Sequence, residues 1–156
     1  MTPAPDLDLY LPDPEATDRL ARCLADHLAP GATILLWGPI GAGKSHFARA
    51  FIRRRLGTTG DIPSPSFTLV QTYEGRGEEV WHADLYRLTH PDELVELGLD
   101  EAFGRAICLV EWPDRMGSLA PAGALNLVFR LESGGEGRRV GISGAGPELR
   151  AALARV

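Results

Sequence analysis

Lysine is almost missing from this chain. Among its 16 lysines and arginines, Lys44 is the sole lysine, so chemistry that needs a mobile ammonium group has one address. Cysteine is nearly as sparse. Cys23 and Cys108 are the 2 present; they lack metal-type spacing, and so few thiols give no disulfide framework. Both read as small buried hydrophobes. No apolar run approaches the roughly 20 residues that span a bilayer. The longest, residues 32–37 and 106–110, have the length of buried strands. Residues 1–8 carry Asp and Pro in place of a basic segment followed by an apolar one, so no secretory signal and a cytoplasmic location are expected. Positive charge is not in excess either. A formal net charge of -5 argues against strong direct binding of nucleic acid, which relies on a basic surface. Any RNA connection would need a partner.

What remains has the composition of a folded α/β domain. A length of 156 residues, 44% hydrophobic and 24% charged, suits one domain over residues 1–156 and excludes a fibrous or globally disordered chain. Alternation over residues 6–11 predicts an entering edge strand, and Asp13-Pro14 predicts a helix start, with apolar positions at helical spacing to Leu28. Residues 33–37 read as a central strand buried on both faces. It feeds a glycine loop and a second helix to Leu56, closed by Gly57. Strands follow over 67–73 and 79–85 around a Gly75-Arg76-Gly77 hairpin, then short helices over 91–97 and 100–103. A strand over 106–111, an antiparallel pair over 124–131 and 138–143, and a helix over 147–153 complete the pattern. The expected architecture is a mostly parallel central sheet with antiparallel strands at its edges, flanked by helices.

The residues Gly38-Pro39-Ile40-Gly41-Ala42-Gly43-Lys44-Ser45 match G-x-x-x-x-G-K-[ST], with a predicted strand before and a helix after. This is a P-loop, and its ligand is a nucleoside triphosphate with Mg²⁺. Gly41 and Gly43 let the backbone wrap a phosphate, so that the N–H groups of Gly41, Ala42, Gly43, Lys44, Ser45 and His46 point inward at a helix start. Lys44 supplies its ammonium to the β- and γ-phosphates, and the Ser45 hydroxyl suits Mg²⁺. The loop identifies a ligand and does not choose a reaction.

Two carboxylates stand at predicted strand ends, Asp84 and Glu111. Ligands of open parallel sheets lie outside those ends, so one carboxylate can hold metal and the other orient water. The plainer alternatives are an ion pair of Asp84 with Arg87 and a helix-start role for Glu111 beside Pro113. Ser64-Pro65-Ser66-Phe67-Thr68 places three hydroxyls on a proline-stiffened loop, fit either for sensing a γ-phosphate or for capping a turn. Trp81 and Trp112 read as core or rim aromatics. Arg53-Arg54-Arg55 is a basic cluster, fit either for an acidic contact partner or for a solvated helix face.

The P-loop, the segment Ser64 to Val70, His82-Ala83-Asp84-Leu85-Tyr86-Arg87-Leu88, Glu96-Leu97-Gly98-Leu99 and Val110-Glu111-Trp112-Pro113 together resemble the bacterial TsaE (YjeE) family, in order and in spacing. The resemblance implies a P-loop ATPase of tRNA threonylcarbamoyladenosine biosynthesis. Its ATP hydrolysis would reset a partner transferase complex, TsaB with TsaD, so that tRNA is met only through or alongside that complex. It further implies Ser45 and Glu111 near Mg²⁺, Asp84 in a Walker B-like role, Ser66 in a nucleotide-responsive loop, and Thr17 and Arg138 near the base or sugar. Where this chain has Ser45, His46 and Ser66, the family more often shows threonine. Ser45 keeps the hydroxyl, and the backbone of His46 keeps the phosphate contact.

Two other readings compete. A small-molecule kinase would need an arginine-bearing lid, and residues 89–104 hold no arginine. A GTPase commonly reads guanine with N-K-x-D, which cannot exist where Lys44 is the only lysine.

Overall fold

Asp13 starts the first helix as expected. In a computed structural model, which describes residues 4–63, 65 and 68–156, its carboxylate accepts the Ala16 amide at 2.9 Å. Pro14 takes the first helical position, where a missing N–H is harmless. Helix α1 runs Pro14–His27 and buries Ala16, Leu20, Ala21 and Leu24. Helix α2, Lys44–Leu56, ends on Gly57 in the left-handed conformation. The two helices lie side by side in the same direction, since Asp18 pairs with His46 and Asp26, eight residues on, with Arg54, also eight residues on.

Seven strands form one sheet: β1 Leu7–Leu11, β2 Thr33–Trp37, β3 Val70–Gly75, β4 Glu78–Asp84, β5 Ile107–Glu111, β6 Leu125–Leu131 and β7 Arg138–Ser143. Their order is β1-β7-β6-β2-β5-β4-β3. The central run β6, β2, β5, β4 is parallel; β3 and β7 join its two edges antiparallel, and β1 pairs antiparallel with β7 at the outer edge. This is the expected α/β architecture. Because β2 and β5 sit inside the sheet with both faces covered, their sequences are continuous apolar runs. The β3–β4 hairpin turns on Arg76 and Gly77, with φ of 54° and 78°, the two positive values a type I′ turn demands.

Three details differ from expectation. Strand β3 begins at Val70, later than residue 67. The first short helix contracts to α3, Asp92–Glu96, and the second shifts by one residue to α4, Leu99–Ala102. An unforeseen pair of 3-10 turns spans Pro113–Leu119, broken at Gly117. The last helix, α5, is Pro147–Leu153 as predicted. Ser64, Ser66 and Phe67 of the hydroxyl-rich loop lie outside the described residues.

Each face of the sheet has its own core. Under α1, α2 and α5, the sheet residues Ile34, Leu36, Val80, Leu109 and Phe129 pack against Leu20, Leu24, Phe47, Phe51 and Leu153. On the other face, Leu35, Ala83, Cys108 and Val110 pack under Leu85, Leu94, Leu99, Ala102 and Met116 from α3, α4 and the connecting turns. Among the described residues, no helix is long and apolar enough to cross a membrane.

Candidate functional site

Beyond β2 the chain must turn off the sheet and enter α2. Gly38 makes the first bend with φ of 139°, and a Cβ there would lie 2.6 Å from the Phe129 carbonyl oxygen on neighbouring β6. Packing alone demands glycine at that position. Gly41 and Gly43 are different. Their φ values are 81° and 108°, a Cβ on Gly41 would meet nothing within 4 Å, and one on Gly43 would meet only a Phe129 ring carbon at 3.9 Å. Glycine there serves the left-handed backbone and keeps the space before the loop open. The first helical bond runs from the Phe47 amide to the Gly43 carbonyl at 3.0 Å. The amides of Lys44, Ser45 and His46 therefore precede any helical acceptor and sit at the positive end of α2.

Lys44 is buried. Its ammonium donates to the Gly38 carbonyl and rests 3.6 Å from the centroid of the Trp112 ring. Burial pulls this ammonium below the usual lysine range, opposed by the carboxylates of Glu111, Asp84 and Asp114. Trp112 reaches the lysine from a left-handed backbone, φ 59° and ψ 52°, which costs about 1–2 kcal/mol for a non-glycine residue. The ring also packs on Tyr86, centroids 4.9 Å apart. Its role is therefore more specific than the core or rim aromatic expected.

The carboxylates come from strand alternation. Residues 80, 82 and 84 of β4 and 107, 109 and 111 of β5 face α2, as the core positions of Val80, Ile107 and Leu109 show. Asp84 and Glu111 are direct register partners at the carboxyl ends of parallel strands, and Glu111 is also paired with Leu36 of β2. The Ser45 hydroxyl donates to Glu111 at 2.9 and 3.2 Å to its two carboxylate oxygens. Glu111 is 2% exposed and Asp84 7%. Behind them is His82, fully buried, with Nε2 2.7 Å from Glu111 Oε2. Asp84 accepts the Tyr86 amide at 3.1 Å.

These groups border a cleft of about 460 Å³. The loop and α2 contribute Ile40, Gly41, Gly43, Lys44, Ser45, His46 and Arg49; the ends of β4 and β5 contribute Asp84, Tyr86, Arg87, Glu111 and Trp112. A hydroxyl and two carboxylates on one sheet face are hard oxygen donors suited to Mg²⁺. Among the described residues no group of three His, Cys, Asp or Glu is placed to hold a metal by itself. Mg²⁺ does not require one, since it commonly keeps waters and shares substrate phosphates.

Seven of the predicted residues thus meet: Gly41, Gly43, Lys44, Ser45, His46, Asp84 and Glu111. Ala42 is fully buried behind the loop. Arg138 does not line the cleft; it braces the loop from outside, donating to the Gly41 carbonyl at 3.2 Å. Thr17 is buried in α1 and also is not among the lining residues. Ser66 lies outside the described residues. The side chain of His46 turns to Asp18 at 2.8 Å, pinning α1 to the start of α2. Within the arginine cluster, Arg54 makes two bonds of 2.9 Å to Asp26. Arg55 clamps Glu78 at 2.7 and 2.9 Å and caps the carbonyls of Ala25 and Leu28. Arg55 is therefore a brace between elements.

Sequence reasoning missed His82 and Arg49. Both had a signal: His82 lies two positions before Asp84 on one strand face, and Arg49 lies one helical turn beyond Ser45. Arg49 and Arg87 bring to the cleft the arginines that residues 89–104 lack.

A family model described as Threonylcarbamoyl adenosine biosynthesis protein TsaE matches residues 11–140. The chain is 35% identical over 135 residues to the tRNA threonylcarbamoyladenosine biosynthesis protein TsaE of Bacillus subtilis, covering 86% of this chain and 83% of that one. It is 42% identical over 106 residues to the protein of the same name from Rickettsia felis, covering 68% of this chain. The match spans 62% of that Rickettsia felis relative and 57% of the Rickettsia conorii one, so these relatives extend well beyond the matched region. The crystal structure of Bacillus subtilis YdiB superposes with a TM-score of 0.78 at 29% identity, covering 99% of this chain and 98% of that one. With the strand–loop–helix, the paired carboxylates and the family match all falling on the same residues, the chain belongs to the TsaE family.

Proposed function

We propose that this protein binds and hydrolyses ATP with Mg²⁺ in the cytoplasm. That activity would support threonylcarbamoyl modification of adenosine 37 in tRNA by acting on a TsaB–TsaD-type transferase complex. The observation that carries the reading is the Ser45–Glu111 hydrogen bond at the mouth of the P-loop, with Asp84 in register beside it.

The roles follow from position. Amides at the start of α2 wrap the phosphates, and the helix dipole favours their charge. Lys44 leaves the Gly38 carbonyl for the β- and γ-phosphate oxygens, exchanging a neutral acceptor for a charged one. Mg²⁺, held by Ser45 and Glu111 with Asp84 beside them, would neutralise phosphate charge. Asp84 then orients the attacking water and accepts its proton, while Arg49 and Arg87 face the charge that develops. Trp112 closes the cleft over the lysine. The acidic net charge suits a protein that reaches tRNA by way of its partners.

Two substitutions test the assignment. Lys44→Ala should weaken ATP binding by at least about tenfold, the loss of one charged hydrogen bond. Glu111→Ala should bind ATP but lower kcat by about a hundredfold or more. Calorimetry and phosphate release read the two effects, and wild-type turnover by the glutamate variant would remove its role. Hydrolysis that ignores added TsaB, TsaD and tRNA would remove the partner assignment.

A further inference from the structure

We propose that His82 is a positioning residue for Glu111: its Nε2–H pins one carboxylate oxygen so that the other stays aimed at Ser45 and the cation. The inference rests on the ATPase reading above and assigns a residue that reading does not use.

The position itself is the first argument. On β4, residues 80, 82 and 84 face α2, and Val80 fills its place with apolar bulk. Two residues on, the same face carries an imidazole that is 0% exposed. An apolar side chain would pack there without loss, whereas a buried polar group is unfavourable unless its bonds are made. His82 makes one of them. Its Nε2 is 2.7 Å from Glu111 Oε2, and because a carboxylate oxygen accepts, Nε2 carries the proton. Among the described residues Nδ1 has no partner at all. The fold therefore keeps a half-satisfied imidazole in its interior, and the single bond that it makes goes to the site.

The second argument is what that bond does to Glu111. Both Glu111 oxygens lie within reach of the Ser45 hydroxyl, at 2.9 and 3.2 Å. A carboxylate held only by a rotating hydroxyl is free to turn about its last torsion. The rigid ring on the adjacent strand, backed by β4–β5 pairing of His82 with Leu109, removes that freedom at Oε2. Oε1 is then presented toward Ser45 and the phosphate end of the cleft. This is how an outer imidazole orients a metal-binding carboxylate.

The test uses His82→Leu, which removes the donor and keeps apolar bulk, and His82→Gln, whose amide can still reach Glu111. ATP affinity is followed by calorimetry across a magnesium titration, with kcat and KM measured in parallel. For His82→Leu, half-saturation by Mg²⁺ should rise about tenfold and kcat fall about tenfold, with ATP affinity in EDTA within about twofold of wild type. His82→Gln should recover most of both. If the leucine variant does not fold, His82→Asn, whose amide falls short of Glu111, takes its place. In the nucleotide-free protein, nitrogen-edited NMR should show a downfield Nε2–H proton that moves upfield in Glu111→Gln. A wild-type magnesium response in the donor-free variant, equal losses with and without Mg²⁺, no recovery by glutamine, or no such proton each overturns the role. Wild-type protein whose ATP affinity ignores Mg²⁺ would overturn both this inference and the ATPase reading. A Mg²⁺ dependence of ATP affinity that is present in wild type and left unshifted by loss of His82 overturns this inference alone.

Discussion

The two faces of the sheet are built on different terms. One lies under α1 and α2, long parallel helices whose Leu20, Leu24, Phe47 and Phe51 are all 0% exposed and whose flanks are tied by the His46–Asp18, Arg54–Asp26 and Arg55–Glu78 pairs. The other lies under two single-turn helices and the 3-10 turns Pro113–Leu119, sealed by the partly buried Trp37, Trp81 and Trp112. His82, Asp84 and Glu111 project on the first face, so the two carboxylates and the imidazole stand over a buried floor. Tyr86, Arg87 and Trp112 come from the connections leaving β4 and β5. The cleft lies at the seam between the two faces, lined by Asp84 and Glu111 from strand ends and by Tyr86, Arg87 and Trp112 from the connections beyond them.

Large-to-small substitutions probe that contrast most strongly. Phe51→Ala should destabilise by about 3–5 kcal/mol, because the interlocked helices cannot collapse into the space. Leu94→Ala should lose only about 2–3 kcal/mol, since single-turn α3 can settle. Equal losses by urea titration would show that the thinner face is as rigid as the thicker one. Next in size is the helix start. Asp13→Ala should cost about 1 kcal/mol through the lost bond to the Ala16 amide, and an effect near zero would mean that packing alone fixes α1.

The thiols give the smallest and finest probe. Cys108 lies on the thinner face, and burial pushes its thiol up to about 12, so at pH 8 roughly one molecule in ten thousand carries the thiolate. Alkylation of Cys108 should therefore report opening of the loops above it. Cys23 on α1 is half-buried and also raised, mainly by burial and then by Asp26; it should react first. Mass spectrometry of iodoacetamide-treated protein separates the two. Cys108 reacting ahead of Cys23 would show that the thinner face opens freely.

Much of this arrangement was legible in the sequence. The apolar run at residues 33–37, the glycine loop and Gly57 gave the strand, loop and helix at the heart of the site, because each depends on local backbone physics. Asp84 and Glu111 were each recognisable at a strand end for the same reason. His82 carried only the weaker signal of lying two positions before Asp84, whose meaning depends on which face of β4 meets α2. Trp112 was read as a core or rim aromatic because nothing local announces a left-handed tryptophan folded over a lysine. Thr17 was placed near the base or sugar by resemblance; it is buried in α1, next to Asp18, which bonds the lining residue His46.

The sequence by itself determined the phosphate loop, the order of the strands and α-helices and the two candidate carboxylates, since these follow from glycine freedom, hydrophobic period and short-range capping. Only the tertiary structure decided that Asp84 and Glu111 are neighbours in register, that Ser45 and His82 converge on Glu111 and that Trp112 covers Lys44. Those pairings join residues 29 to 66 positions apart in the hydrogen bonds that Glu111 makes. Such contacts arise from strand order and helix packing, which no local run of residues encodes.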